Sequence, residues 1–208
     1  AEFLKQPNTG LIKLIPDKNC DEKEKVVNAS PDCQKHTMPG AGASYSFRID
    51  NYRIRHLADL NYTGKSFRAF GVLTHGIFAN IGDVPLENVN LQTEAVKELM
   101  NFEPAGDYQQ AQDFAVRLDK GIESKGLVYR NILPASDNTT YVLRSIAYLA
   151  NVVRTIGGIS YDEMEFDKRK DIVVAFRVVR RDSDGNVSIL WKELSDKNAP
   201  KLKENKKD

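Results

Sequence analysis

Four polar residues sit on strand-like stretches that otherwise read as buried. Arg144 shares an alternating face with Val142, Ile146 and Tyr148, and Arg177 lies between Ala175 and Val179. His75 follows Leu73 on the face leading to Ile77, and Asp59 stands among Leu57, Ala58 and Leu60. An unpaired charge in a core is costly, so such groups must pair, reach solvent or line a cavity. Lining a cavity would give a cleft in which Arg144 and Arg177 grip an anion, with Tyr148 beside them. His75 would then act as acid or base with Asp59 or Asp83 as its carboxylate, the arrangement of a hydrolase or lyase. The alternative is a set of internal ion pairs, or one sheet face simply open to water, and that is the expectation here.

Other chemistry is thinly supported. Asp182, Asp184 and Asn186, with Ser188 and Glu193 further on, offer oxygens at calcium-loop spacing. Gly185, however, is at position four where such a loop needs glycine at six, so Asp184-Gly185 is expected to form a two-residue hairpin turn instead. The run Asp162, Glu163, Glu165, Asp167 and Asp171 could bind a hard cation, but it is answered by Lys168, Arg169 and Lys170, and a charge-balanced surface loop is expected. No Ser has the Gly-x-Ser-x-Gly context, and Gly40-Ala41-Gly42 leads into a strand rather than a helix, so no nucleophile elbow or phosphate loop is present. No metal or cofactor is expected. Trp191, the single tryptophan, is expected as an inward anchor, with a ligand contact on an open sheet as the functional alternative.

Cys20 and Cys33 flank a polar segment with no other anchor. A bridge between them would close a loop of about 14 residues and stabilise the fold by about 3 kcal/mol. The expected disulfide points to an oxidising compartment, periplasmic or extracellular. The opening Ala1-Glu2-Phe3-Leu4 fits a mature chain after signal-peptide removal, or a vector-derived scar, and Ala1 to Phe3 carry no fold argument. Asn-x-Ser/Thr triplets at Asn28, Asn61, Asn138 and Asn186 matter only in a eukaryotic secretory pathway.

These residues need a scaffold, and the 208-residue chain is long enough for one domain plus an arm. Residues 1–44 read as an irregular N-terminal arm rich in Pro and Gly, with Leu11 to Ile15 as an edge strand; 45–195 read as one α+β domain; 196–208 read as a flexible charged tail. Strands are expected over Tyr45 to Ile49, Ser66 to Ile81, Thr139 to Leu149, Asp171 to Arg181 and Val187 to Leu194. Gly71 and Gly76 suggest a bend within the second. A helix capped at Thr93 is expected, then one capped at Asp107 with Phe114, Leu118 and Ile122 in its stripe, ending at Gly126. Strands around a helical pair, without regular alternation, indicate an antiparallel sheet of six or more strands with the pair packed on one face.

Thirty Lys+Arg against twenty-nine Asp+Glu give a net charge of +1, so nothing electrostatic favours nucleic acid. No apolar run approaches the roughly 20 residues of a membrane span. The expected function is that of an exported, non-enzymatic domain that binds a protein or small-molecule ligand.

Overall fold

A computed structural model describes residues 2–17, 42–150, 153–162, 164 and 167–203. Its strands are β1 (Thr9–Leu14), β2 (Ser44–Ser46), β3 (Asn51–Tyr52), β4 (Leu60–Tyr62), β5 (Ser66–Arg68), β6 (Phe70–Gly71) and β7 (Thr74–Gly82). Helices α1 (Glu94–Asn101) and α2 (Tyr108–Lys120) follow, then β8 (Ile122–Ser124), β9 (Leu127–Tyr129), β10 (Ile132–Pro134) and β11 (Thr140–Ala147). The chain continues through β12 (Val153–Ile156), β13 (Ile159–Asp162), β14 (Lys170–Arg181) and β15 (Val187–Asn198). The protein is therefore a mostly antiparallel, sheet-rich α+β fold.

A six-stranded sheet runs β1-β15-β14-β11-β7-β6 and a five-stranded sheet runs β10-β5-β4-β2-β3. The two meet at both flanks. Phe78 and Arg130 exchange backbone hydrogen bonds of 2.7 and 3.0 Å, and Leu14 bridges Gly42, whose carbonyl accepts from the Ile15 amide at 3.0 Å. Between the sheets lies a cluster that includes Tyr45, Phe47, Phe67, Phe78, Tyr141, Phe176 and Trp191. Phe176 is stacked on Tyr141 with ring centroids 5.1 Å apart and meets Phe67 edge-on at 5.3 Å. The interior is filled by side chains, as in small closed sheets.

Strand alternation explains the second cluster. On β11, Tyr141 and Leu143 point into the first cluster, while Val142 and Ile146 join Ile77, Ala79, Val173 and Ala175 in the second. Ala95, Val96 and Leu99 of α1 and Phe114 and Leu118 of α2 are buried in that same cluster.

Several local expectations change. The stretch from Ser66 to Ile81 is three strands, because Gly71 and the turn at Val72-Leu73 reverse the chain, with Leu73 at φ 46. A Cβ on Gly76 would stand 2.2 Å from the Ala69 carbonyl oxygen, so only glycine lets these strands approach so closely. Helix α2 ends at Lys120 rather than at Gly126, since Gly121 takes φ 93 and its amide bonds back to Arg117 and Leu118. Ile122 consequently lies on β8, and Gly126 serves the turn of the β8–β9 hairpin. Asp107 caps α2 by accepting from the Gln110 amide at 2.8 Å, but Gln110 returns its carbonyl to Gly106, one residue before a capping box would place it. Thr93 accepts from the Asn90 amide and makes no cap bond to α1.

The segments read as appendages contribute to the fold. Strand β1 pairs with β15 along its whole length, and the Trp191 ring lies over Gly10, where a Cβ would stand 2.4 Å from Nε1. Strand β15 runs to Asn198, Leu202 is buried, and the Leu149 amide donates to the Pro200 carbonyl at 2.8 Å.

Candidate functional site

His75, Asp59, Asp167 and Arg144 are each held by several internal partners. Strand β7 places His75 in the second cluster, 7% exposed, with its ring edge-on to Phe114 and Tyr148. Its Nε2 lies 2.9 Å from the Ala111 carbonyl, which can only accept, so Nε2 carries the proton. Tyr148 Oη accepts from the Ala105 amide at 2.9 Å and donates its own hydrogen to His75 Nδ1 at 2.9 Å. The imidazole is thus neutral and saturated, joining β7, β11 and α2. Burial pushes its pKa below the ordinary histidine value, and the Ala111 carbonyl offsets only part of this. The unfolded chain therefore binds a proton more readily than the folded one. The resulting stability is fully present above about pH 6.5 and is lost as pH falls below it. Urea midpoints at about pH 7.5 and about pH 5.5 should fall more steeply for the parent than for His75→Phe; equal slopes would show that His75 does not carry this dependence.

Asp59 is one of the most completely paired residues. One carboxylate oxygen accepts from Arg48 Nε at 2.8 Å and Ser145 Oγ at 2.6 Å, and the other from Ser46 Oγ at 2.9 Å. Arg48 also donates to Asp167 at 2.8 Å and to the Leu57 carbonyl at 2.9 Å, and both Arg48 and Asp59 side chains are 0% exposed. Arg169 completes the group, donating to Asp167 at 2.7 Å and to the carbonyls of Val72, Leu73 and Tyr148. Burial raises the Asp167 pKa, but the attraction of Arg48 and the hydrogen bonds from Arg169 and Arg48 outweigh it and hold the carboxyl below its usual range. The acidic run is therefore not a surface loop throughout, because Asp167 and Asp171 are buried partners of arginines. Glu163 and Glu165 lie outside the described residues.

Arg144 has internal partners. It forms a two-pronged pair with Asp171 at 2.8 and 2.7 Å and donates from Nη1 to the Leu99 and Phe102 carbonyls, where α1 ends. Those carbonyls have no intrahelical donor, so the guanidinium satisfies the helix end from the sheet. Arg177 pairs with Asp83, whose side chain is 78% exposed, and donates to the Val84 carbonyl. No bond joins His75 to Asp59 or Asp83 among the described residues. Trp191, 4% exposed, packs on Phe47 at 5.2 Å and faces the interior.

The hairpin between β14 and β15 also differs from its expected form. The Asp182 amide donates to the Asn186 carbonyl at 2.8 Å and the Gly185 amide to the Asp182 carbonyl at 2.9 Å. Three residues thus form the loop, and only Gly185, at φ 81, takes positive φ. A type I turn closed by a left-handed glycine needs one such residue, whereas the expected two-residue turn would need two. Asp182 is paired with Lys13 at 2.7 Å and Arg180 at 2.8 Å, while Asp184 accepts from Ser183 and Asn186. No group of three or more His, Cys, Asp or Glu suited to a metal occurs among the described residues. Cys20 and Cys33 lie outside the described residues.

The exterior offers a depression of about 360 Å³ beside β1, lined by Leu11, Ile12, Lys13, Tyr45, Asp50, Asn51, Tyr52 and Ser188. Tyr45 donates a short hydrogen bond to Asp50. Burial, followed by this contact with the Asp50 carboxylate, raises the tyrosine pKa far above its ordinary value. Asp50 itself stands at φ 51, in the left-handed region. Sequence reading missed this site. The break at Asp50-Asn51 was legible, but nothing in the local pattern tells that Tyr52 folds back onto a strand some forty residues earlier.

No family model matches the chain, and no curated protein or solved structure is significantly similar to it. Its function must be argued from its own geometry. Among the described residues no helix is long and apolar enough to cross a membrane.

Proposed function

We propose that this chain is a non-enzymatic binding domain of an exported protein, with the helical pair sealing one face of the six-stranded sheet and recognition occurring at the exterior edge by β1. The carrying observation is the contrast between interior charged groups committed to internal partners and the exposed rim beside β1. The space between the sheets is occupied by aromatic side chains, and His75, Asp59, Arg144 and Tyr148 are bonded to buried side chains or to backbone. The depression beside β1 instead presents the exposed Leu11, Asp50 and Asn51 around the half-buried Tyr52. Export rests on the Cys20–Cys33 bridge, which the loop-closure argument favours.

Amide spectra of the ¹⁵N-labelled chain, recorded against a panel of small polar organic molecules and short peptides, test this reading. Binders should shift Leu11, Lys13 and Asp50 to Tyr52. Shifts centred on His75 and Tyr148, accompanied by chemical change in the added compound, would instead support the hydrolase or lyase arrangement. A panel in which no compound of either class shifts the depression would remove the binding reading.

A further inference from the structure

We infer that β1 accepts an extended peptide bearing a Lys or Arg side chain as an added strand, an inference that rests on the binding reading above. Strand β1 ends the six-stranded sheet. The Lys13 amide donates to Tyr52 Oη at 3.2 Å, and the same hydroxyl donates to the Lys13 carbonyl at 2.7 Å. A single phenol thus makes both bonds that a neighbouring strand would make to residue 13. Such capping is one way an edge is kept from pairing indiscriminately.

Because Lys13 directs its backbone groups away from β15, the two-residue period of a strand directs those of Leu11 the same way. Beyond Lys13 this flank is covered by the bridge from Leu14 to Gly42. Among the described residues no bridge covers it at Leu11, whose side chain is 54% exposed. A peptide displacing the Tyr52 hydroxyl would gain a ladder from Leu11 to Lys13, with the adjoining depression receiving its side chains. Only another backbone offers donors and acceptors at this repeat, which is the basis of strand addition as a recognition mode.

Charge selects among peptides. The Lys13 ammonium is committed to Asp182 at 2.7 Å. Asp50, an exposed carboxylate lining the depression, holds the Tyr45 hydroxyl with one oxygen. A guanidinium or ammonium on the incoming strand would be its complement.

Random peptides displayed on phage, selected against the full chain and then resynthesised, provide the probe. Enriched peptides should carry Lys or Arg, shift the amides of Thr9 to Lys13, and weaken about tenfold or more on Leu11→Pro, which removes an outward N–H that an edge strand can spare. Should Leu11→Pro lose its fold, N-methylation at alternate peptide residues must produce the same weakening. Asp50→Asn should weaken peptides with Lys or Arg but not their Gln counterparts. Tyr52→Phe should tighten binding by removing the competing hydroxyl. Absence of enriched peptides, insensitivity to both Leu11→Pro and N-methylation, or weaker binding by Tyr52→Phe would overturn the inference. So would a concentration-dependent dimer that Leu11→Pro dissolves, since the occupant would then be a second copy. Small molecules that shift the depression while peptides do not would leave the binding reading standing and remove only this inference.

Discussion

Arg48→Met should lower the unfolding free energy by about 3–5 kcal/mol, because it leaves buried carboxylates without their principal cation. Arg48 joins Asp59, Asp167, the Leu57 carbonyl and the Lys168 carbonyl from a side chain with no exposure. The remaining partners, Ser46, Ser145, Arg53 and Arg169, do not restore the balance of charge around Asp59. Methionine fills comparable volume, so the loss measures electrostatics more than a cavity. Urea unfolding at neutral pH gives the magnitude, and acid gives the mechanism. In the parent, the depressed Asp167 contributes stability that is present above the unfolded carboxylate range, near pH 4, and is lost as pH falls through its folded value. Without Arg48 less of that contribution exists to lose. The gap between parent and variant should therefore be widest above about pH 4 and narrow below it. A loss of under about 1 kcal/mol, of the size seen for exposed pairs, would show that the network is not the tie it appears from its geometry.

Phe176→Ala should cost a similar amount, about 3–5 kcal/mol, for a different reason. The ring is fully buried between the sheets, stacked on Tyr141 at 5.1 Å and in contact with Phe67 at 5.3 Å, Phe78 at 6.1 Å and Phe47 at 6.5 Å. Each neighbour is anchored on a different strand or its flank, so the space cannot collapse around a methyl group. Phe176→Leu keeps most of the volume and should cost clearly less, below about 2 kcal/mol. Equal losses for the two variants would mean that ring-to-ring contacts, rather than filled volume, carry the stability. Neither loss should narrow as pH falls below about pH 4, which separates this effect from that of Arg48.

Much of the architecture was legible locally. The alternation of Tyr141, Leu143 and Phe176 against Val142, Val173 and Ala175 reports strands with two apolar faces, and those strands lie inside the six-stranded sheet. The stripe of Phe114 and Leu118 behind Asp107 reports α2, because capping and a 3.6-residue period act within a few turns. Gly185 reports a reversal, since positive φ is a property of one residue. Where two local signals competed, the wrong one was read: Gly126 suits a hairpin turn as well as a helix end, and Gly121 ended the helix first.

The chemistry was legible only as a requirement. The sequence by itself determined that charged residues on apolar faces must be satisfied, because burying a bare charge is too costly for any fold to sustain. Tertiary structure alone decided by whom. Arg144 meets Asp171 and the end of α1, Asp59 meets Arg48, and His75 meets Tyr148 and the Ala111 carbonyl, partners separated by 11 to 73 positions. The same holds for the rim. A tyrosine next to an Asp-Asn break signals nothing in sequence, and its hydroxyl becomes the cap of an edge strand only when closure of the two sheets sets β3 beside β1. Period and turn chemistry act over a few residues and are written in the chain; ion pairing and edge capping act through space and exist only once the sheets have closed.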